Sequence, residues 1–396
     1  MIDETILVVN AGSSSFKFRL YGVPDTRDPA ALEPLLDGQV SGIGGRQPRF
    51  KVKAATGQKL ADEPLAPEAA RDIGAAQELL SNWLADRLDS PPIAIGHRVV
   101  HGGPEFTEPV RVNEEVLQQL HALVPLAPLH QPSALEAIEV IRQIAPAMRQ
   151  VACFDTAFHR THSEVADRYA IPEAMFNQGV RRYGFHGLSY EYIQRRMREL
   201  SPEHAAGRLV VAHLGSGASA CAMKQGISVD STMGFTALDG LPMSTRPGRL
   251  DAGVVLWMME RGMSPEEVQR VLYKESGMLG LSGISADMRE IAASDTAAAR
   301  RAREYFAWRT AEGIAGLCVA TGGLDALVFT AGVGENDAQA RAQVCERLDW
   351  LGVRLDAERN QAHATVISAD DSRVVVYVVP TNEELVIAEH TLSLLQ

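Results

Sequence analysis

The sequence predicts an α/β protein in which one strand–turn–strand unit occurs twice. In the first unit, residues 5–21, the apolar run Ile6–Val9 precedes a Gly-Ser turn and the alternating stretch Phe16–Leu20. The second, residues 208–223, repeats this layout with the apolar run Leu209–Ala212, a glycine turn and a return strand of small residues. A repeat about 200 residues apart predicts a duplicated domain, with two Gly-Ser hairpins facing each other across a cleft.

The remaining elements alternate between helical and strand patterns, which is typical of the α/β class. Apolar residues at intervals of three and four predict helices over residues 67–88, 132–144, 187–199, 251–261, 265–274, 286–320 and 337–349. Short apolar runs predict strands at residues 93–95, 151–154, 326–330 and 374–379. Residues 23–66 are rich in proline, glycine and charge, and we expect hairpins and loops there.

The composition is that of a globular protein whose net charge repels nucleic acid and anionic lipid. Of its 396 residues, 46 % are hydrophobic and 22 % are charged, and the formal net charge of −12 disfavours binding to nucleic acid or anionic lipid. No apolar run approaches the roughly 20 residues that a membrane-spanning helix needs. The four cysteines are far apart, without a CxxC pair, which fits a reduced cytoplasmic location better than a disulfide framework or a zinc site.

Three polar motifs follow predicted strands in the first half of the chain. The turn within residues 10–17 can direct backbone amides and hydroxyls at an anion, and Lys17 adds a charge; a tight hairpin with polar turn residues is the alternative. In residues 96–103, Arg98 can hold a carboxylate or a phosphate, or it can pair with a surface acid. Asp155 can position Mg²⁺, act as a base or cap the next helix.

Four further motifs lie in the second half. Glycines flank His186, which leaves its ring open to a cleft, although a lone histidine is more often structural. Arg246 lies on a loop braced by proline and glycine and can reach a transferring phosphoryl group, or it can be an exposed turn residue. Residues 332–336, GVGEN, follow a strand and can offer amides to a nucleotide, or form an ordinary turn before a helix. Glu383 lies at a helix start, where the helix dipole favours an acid in any case.

Taken together, these motifs resemble the acetate kinase family. VVNAGSSSFKF, GHRVVHGG, FDTAFH, YGFHG, MGFT, GLSGISADMR, GVGEN and PTNEELVIA occur in the order and spacing of that family, from about residue 6 to residue 388. The resemblance implies a duplicated two-domain actin-like ATPase (ribonuclease H-like) fold with an interdomain cleft. It also implies reversible, Mg²⁺-dependent (or Mn²⁺-dependent) in-line transfer of a phosphoryl group from ATP to acetate, giving ADP and acetyl phosphate.

The resemblance also implies roles for individual residues. It assigns substrate binding and phosphoryl transfer to Arg98, Asp155, His186 and Arg246, with Arg98 on the substrate, and it assigns the metal ion to Asn10 and Glu383. The nucleotide and its phosphates would be bound by Lys17, His213, Leu214, Gly215, Ser216, Gly217, Asp287, Met288, Arg289, Gly332, Val333, Gly334, Glu335 and Asn336. The acyl pocket would be walled by Val100, Leu129 and Phe185. We expect an N-terminal acyl-substrate and phosphate domain of residues 1–154 plus 384–396, and a nucleotide-binding domain of residues 155–383.

Several positions depart from the usual family pattern. Ser216 and Gln131 stand where asparagines are usual, and Pro247 and Arg249 change the loop after Arg246. Ala237 replaces a proline expected at the acyl pocket, and the lost bulk, at about 0.8 kcal/mol per buried CH₂, can shift preference towards propionate.

Alternative functions differ in substrate or in class. The nearest alternative is a propionate or butyrate kinase with the same mechanism. An ATP-driven conformational protein of the same superfold would need a client-binding domain, for which no residues remain. An inactive kinase acting as a binding module is disfavoured because the candidate catalytic and metal residues are retained, namely Asn10, Lys17, Arg98, Asp155, His186, Arg246 and Glu383. The resemblance implies acetate or another short-chain carboxylate and ATP as partners, and a homodimer.

Overall fold

The computed structural model describes residues 4–12, 14–128 and 130–396. Its strands are β1 (Thr5–Gly12), β2 (Ser15–Gly22), β3 (Glu33–Ser41), β4 (Arg49–Ala54), β5 (Lys59–Pro64), β6 (Ala94–Val99), β7 (Val110–Arg111), β8 (Arg149–Phe154), β9 (Arg208–Leu214), β10 (Ala218–Lys224), β11 (Ile227–Ser231), β12 (Ala326–Thr330) and β13 (Val375–Val378).

Its helices are α1 (Ile73–Ala85), α2 (Glu114–Ala122), α3 (Gln131–Ile144), α4 (Glu164–Asp167), α5 (Glu173–Asn177), α6 (Gly187–Leu200), α7 (Pro202–Ala206), α8 (Ala252–Glu260), α9 (Pro265–Arg270), α10 (Gly277–Ser282), α11 (Met288–Ala292), α12 (Ala297–Thr321), α13 (Ala331–Asn336), α14 (Ala338–Glu346), α15 (Ala357–Gln361) and α16 (Glu383–Ser393). Short 3₁₀ turns and one π-helical turn, Val271–Glu275, connect some of them.

The two sheets repeat one strand order. Within the first sheet, β3-β2-β1-β6-β8 has an antiparallel hairpin, β1/β2, followed on the other side of β1 by the parallel strands β6 and β8. The second sheet, β11-β10-β9-β12-β13, has the same arrangement around the hairpin β9/β10. The two predicted strand–turn–strand units are therefore the equivalent central hairpins of two similar sheets.

The chain divides into two compact units, residues 1–158 with 382–396 (unit 1) and residues 159–381 (unit 2). These bounds differ by a few residues from the predicted ones, and both Asp155 and Glu383 consequently belong to unit 1. The predicted bounds put both residues in the nucleotide domain. The sequence repeat defines the positions of the two hairpins, but it does not define the residue at which the chain passes from one unit to the next. The predicted roles of the two domains and the cleft stay predictions.

The core of unit 1 lies on both sides of its sheet. On one side, residues such as Leu7, Val9 and Phe18 pack with the apolar stripes of α1 and α3. On the other side, α16 packs on β1, β6 and β8. A Cβ atom added at Gly96 would lie 2.4 Å from Thr391 Oγ1, so the glycine permits this close approach of the C-terminal helix.

Two predicted helices are wrong in extent. Residues 67–88 form a 3₁₀ turn, Pro67–Ala70, and the shorter helix α1, because the Asp72 side chain accepts a hydrogen bond from the Ala75 N–H and caps a new helix. Residues 286–320 form two helices, α11 and α12, because the Thr296 side chain accepts a hydrogen bond from the Ala299 backbone N–H and caps a new helix. In the part of the chain that the structure describes, no helix has the length and apolar character needed to cross a membrane.

Candidate functional site

In unit 1, three of the predicted site residues project from one face of the sheet. Asn10 on β1 pairs directly with Lys17 on β2, so both side chains point to the same face. Strand β1 also runs parallel to β6 with Val9 paired to His97, and the next residues along, Asn10 and Arg98, therefore share that face. The turn residue Ser13 lies outside the described residues.

Arg98 holds two carboxylates of unit 1. Its Nε and Nη2 atoms donate to Asp155 Oδ1 and Oδ2 at 2.9 and 2.6 Å, a bidentate pair that joins β6 to the end of β8. Glu383 Oε2, at the start of α16, lies 3.7 Å from Arg98 Nε. The position of Asp155 directly after β8 therefore brings its carboxylate to Arg98.

The charges of this cluster are strongly coupled. Burial raises the pKa of Glu383 to about 7, and the neighbouring Asp155 adds to the increase while Arg98 opposes it. Burial disfavours the charged form of Arg98, but the charges of Asp155 and Glu383 outweigh that effect and raise its pKa. The cluster therefore contains a carboxyl, that of Glu383 with its side chain 16 % exposed, that a second cation would stabilise as the carboxylate.

The loop that follows Arg98 is held by two side chains. Gln131 accepts a hydrogen bond from the His101 backbone N–H at 3.1 Å and donates to the His101 carbonyl at 2.9 Å. Thr156, next to Asp155, accepts from the Gly102 N–H at 3.0 Å. Gln131 thus satisfies both backbone groups of His101.

In unit 2, two histidines stack beside the second hairpin. The ring centroids of His186 and His213 are 4.2 Å apart, and the rings are inclined by only 18°. Each ring engages a serine through Nδ1: His186 contacts Ser219 Oγ and His213 contacts Ser189 Oγ, both at 2.8 Å. If the hydroxyl of Ser219 donates, the Nε2 atom of His186 keeps its proton and can donate to an oxygen of a substrate.

Arg246 and His186 meet at the turn between β9 and β10. A Cβ atom added at Gly217 would lie 3.0 Å from Arg246 Nη2 and 3.1 Å from His186 Nε2. The other terminal nitrogen of Arg246 donates to the Ala237 carbonyl at 2.9 Å, and the Ser244 N–H of the same loop donates to the Ser216 carbonyl at 3.1 Å. The structure thus brings together two of the predicted phosphoryl-binding groups against a glycine turn of the same unit.

Three of the predicted nucleotide segments line one open cavity of about 930 Å³ in unit 2. They are residues 215–216, 287–289 and the part of α13 that contains Gly332, Val333 and Asn336. Asp287 caps α11 by accepting the Arg289 N–H at 2.8 Å, and the hydrogen bond from the Arg289 side chain lowers the pKa of Asp287 to about 2. His213, Leu214, Gly217, Gly334 and Glu335 do not line this cavity.

The predicted glycine turn after β12 is replaced by an abrupt helix start. The strand passes directly into α13 through Ala331, whose φ of 65° lies in the left-handed region. Glu335 stabilises this junction by accepting the N–H groups of Ala331 at 2.8 Å and Thr381 at 3.2 Å. Its role is therefore structural in the described contacts, and the glycines of the motif lie within the helix.

The sequence did not predict Arg303, which also lines the cavity. It is buried on α12 with Nη2 3.4 Å from Asp337 Oδ1, and among the described residues its Nε and Nη1 atoms have no hydrogen-bond partner. The sequence could have indicated Arg303 by its position: it lies on the same helix stripe as Ala299, Ala302 and Phe306, which are buried, and an arginine on an apolar stripe is unusual.

The predicted acyl pocket is not assembled by residues of one unit. Val100 follows β6 in unit 1, Phe185 is buried in unit 2, and Leu129 lies outside the described residues. In the ranges that the structure describes, no three or more His, Cys, Asp or Glu side chains are grouped so as to hold a metal ion. The oxygen donors of Asn10, Asp155 and Glu383 in unit 1 nevertheless suit Mg²⁺, which commonly binds only one or two carboxylates and keeps several waters.

Comparison with known proteins gives consistent matches over the whole chain. The sequence model of the Acetokinase family matches residues 5–389. The acetate kinase of Nitrobacter hamburgensis is 53 % identical over 99 % of this chain and 96 % of its own length. Two crystal structures share the fold. Porphyromonas gingivalis acetate kinase has a TM-score of 0.88 and 36 % identity, and the match covers 99 % of this chain and 100 % of that one. A propionate kinase from Francisella tularensis has a TM-score of 0.90 and 37 % identity, and the match covers 98 % of each chain. The predicted fold class is therefore confirmed.

Proposed function

The chain belongs to the acetokinase family, and we propose on this basis that it catalyses reversible transfer of the γ-phosphoryl group of ATP to acetate, giving ADP and acetyl phosphate. The observation that carries the proposal is the full-length match to a protein named acetate kinase. The reaction makes the enzyme a phosphotransferase with a carboxyl group as acceptor. A propionate or butyrate kinase is the alternative, and the curated relatives do not favour it.

The acceptor needs orientation rather than deprotonation. A carboxylic acid with a pKa near 4 is already ionised at neutral pH, so its oxygen is a ready nucleophile. In our proposal, Arg98 binds this carboxylate. Its Nε and Nη2 atoms are engaged by Asp155, which fixes the plane of the guanidinium and leaves Nη1 to meet the substrate. Asp155 then acts by positioning charge and not as a general base.

The transferring phosphoryl group is stabilised by the cationic and donor groups of unit 2. Arg246 and the Nε2 atom of His186 both lie against Gly217, and two donors held beside one turn can stabilise charge on the equatorial oxygens during in-line transfer. We assign the nucleotide to the cavity lined by residues 215–216, 287–289 and by Gly332, Val333 and Asn336, and Lys17 to its phosphates. Burial of Arg303 at the same cavity makes it a further donor for the nucleotide.

We assign Mg²⁺ to Asn10 and Glu383, with Asp155 close by. The fit rests on the oxygen-only donor set and on the raised pKa of the partly buried Glu383, whose carboxylate form a divalent cation would stabilise. The ion would neutralise charge on the phosphate oxygens when it is bound. Asn382 caps α16 by accepting the Leu385 N–H at 3.2 Å, and this cap holds Glu383 at the helix start.

The direct test is to trap the acyl phosphate. Hydroxylamine converts acetyl phosphate into a hydroxamate, and the assay should be run with ATP and Mg²⁺ on acetate, propionate and butyrate. We expect product with acetate, and a larger share for propionate than is usual only if the small Ala237 widens the acyl pocket. The backbone carbonyl of Ala237 accepts a hydrogen bond from Arg246, whereas only its methyl side chain would affect the width of the acyl pocket. No hydroxamate with any acid would refute the function.

The role of Arg246 has its own test. Replacing it with alanine removes a cation worth roughly 10³-fold or more in rate, so we expect kcat to fall by orders of magnitude while nucleotide binding survives. Nucleotide affinity is measured by calorimetry on the same preparation. Near-normal turnover would contradict the role.

We also propose that the protein is a homodimer, as expected for the family. Helix α8 is almost entirely apolar, yet none of its residues is buried, and Leu256, Trp257 and Met259 are about half exposed or more. An apolar helix of this kind on the surface is typical of an interface. Light scattering should report a dimer for the wild type and a monomer for Leu256→Glu, whereas Val319→Glu on α12 should stay dimeric. The cytoplasmic location stays a prediction.

A further inference from the structure

Two consecutive side chains, His159 and Arg160, hold the backbone that leads into His186. His159 Nε2 lies 2.9 Å from the carbonyl oxygen of Phe185. Arg160 Nη2 donates to the carbonyl oxygens of residues 182 and 183, at 3.1 and 2.8 Å. Three carbonyl groups within the 182–185 segment are thus bound by neighbouring side chains, although neither side chain has a role in the function proposed above.

The hydrogen bonds at His159 have one possible direction. A carbonyl oxygen can only accept, so Nε2 of His159 carries the proton. Burial lowers the pKa of His159 well below its usual value, so the ring is neutral and Nδ1 accepts from the Ser228 hydroxyl at 2.8 Å. The Ser228 oxygen is in turn 2.9 Å from His162 Nε2. A series of hydrogen bonds therefore runs from His162 through Ser228 and His159 to the Phe185 carbonyl.

Packing restrains the same segment. A Cβ atom at Gly184 would lie 2.6 Å from His159 Cδ2, so the imidazole rests directly on this backbone. Gly184 also has a φ of 72°, a conformation that glycine adopts without strain. Arg160 is fixed in its turn by Asp167, whose Oδ2 accepts from Nη1 at 2.9 Å, and both side chains are almost fully buried.

The residue that follows this segment has an unusual backbone. His186 has φ 59° and ψ 25°, which is left-handed for a residue that is not glycine. Such a conformation is strained and persists only where the surroundings determine it. The hydrogen bonds to the carbonyl oxygens of the preceding residues, and the contact of the His186 ring with Ser219, hold His186 in this conformation.

We propose that His159 and Arg160 are positioning residues: by holding the 182–185 segment, they keep His186 in its left-handed conformation with Nε2 against Gly217. This inference rests on the function proposed above for His186. It gives the histidine of the FDTAFH motif a part in placing His186. Loss of the His159 donor would let the segment move, and the Nε2 atom of His186 would leave its place beside Arg246.

The test compares two substitutions with a matched control. His159→Leu removes the donor, whereas His159→Gln keeps an N–H near the position of Nε2. The control, His204→Leu, removes a different histidine of unit 2 that lies 2.9 Å from Tyr377 Oη. Because a misplacement of 1 Å can cost 10²-fold, we expect His159→Leu to lower kcat about 10- to 100-fold, with the KM for ATP unchanged. His159→Gln should recover most of the loss, and the control should keep the wild-type kcat.

A double-mutant cycle with His186→Ala separates positioning from general stability. If His159 acts through His186, His159→Leu should change kcat by no more than about twofold once His186 is already alanine. Equal losses in both backgrounds, or a raised KM for ATP in His159→Leu, would overturn the inference. If His159→Leu is not recovered folded, the same cycle is run with Ser228→Ala, for which the same two outcomes apply. Absence of acyl phosphate from the wild type would instead refute the proposed function.

Discussion

Replacing Gly217 with alanine tests whether the turn between β9 and β10 sets the place of Arg246 and His186. The added methyl group would lie 3.0 Å from Arg246 Nη2 and 3.1 Å from His186 Nε2, inside the ordinary van der Waals range of 3.4–4 Å. Gly217 has no left-handed φ, so the alanine backbone is unstrained. The substitution therefore displaces two functional side chains by a few tenths of an ångström without disturbing the strands.

The expected size of the effect follows from this displacement. Misplacement by about 1 Å can cost 10²-fold in rate, and two groups are moved here by less, so we expect kcat to fall about 10- to 100-fold. That fall corresponds to about 1.4–2.7 kcal/mol of transition-state stabilisation. The melting temperature should change little, because the side chains that give way are the ends of an arginine and a histidine.

The assay is steady-state formation of the acyl hydroxamate, with thermal melting on the same samples. Gly316→Ala on α12 is the control, because a Cβ atom there meets nothing within 4 Å. This control should retain full activity and gain about 0.5–1 kcal/mol of stability from the lost glycine entropy. Wild-type turnover by Gly217→Ala would refute the reasoning, and a raised KM for ATP with an unchanged kcat would show that the turn binds the nucleotide instead.

Three further predictions concern β6. Gly96→Ala would place a methyl group 2.4 Å from Thr391 Oγ1, so the C-terminal helix should pack less tightly. We expect a lower melting temperature and faster amide hydrogen exchange in that helix. Unchanged exchange would count against the packing described. Burial lowers the pKa of His97 from 6.5 to about 4, so the neutral ring adds stability above pH 6.5 that is lost as pH falls towards 4, at most about 3 kcal/mol. Urea unfolding should show a flatter acid limb for His97→Gln, and an unaltered limb would exclude His97 as its source. Arg98→Lys loses the bidentate contact with Asp155 and should lower kcat/KM for acetate about 10²-fold or more, whereas a small change would argue against carboxylate binding there.

The sequence predicted the hairpins and the buried strands well because their signals are local. The run Ala326–Thr330 is apolar throughout, and β12 is buried throughout, as expected for a strand between two parallel neighbours. The helix predicted over residues 286–320 was too long because its apolar periodicity continues across Thr296, where a side-chain cap interrupts it. Periodicity reports which face is buried, and it does not report where the backbone breaks.

The candidate site shows the same limit. Sequence motifs identified Arg98, His186 and Arg246, since each has glycines a few residues away: Arg98 near the end of β6, His186 at the start of α6 and Arg246 on the loop of residues 240–248. They did not identify Arg303 or His159, whose parts depend on contacts with residues distant along the chain. The bidentate bond between Arg98 and Asp155 likewise joins residues 57 positions apart, and only pairing of β6 with β8 brings them together.

By itself, the sequence determined the duplicated α/β architecture, the family and the set of chemical groups available for phosphoryl transfer, because these depend on residue type and short-range pattern. Only the tertiary structure decided which groups meet: Asp155 and Glu383 around Arg98 in unit 1, and Arg246 with His186 at Gly217 in unit 2. The physical reason is that pKa shifts, close approaches and bidentate pairs depend on distances through space. Those distances arise when strands pair and helices pack, and no segment of the chain contains them on its own.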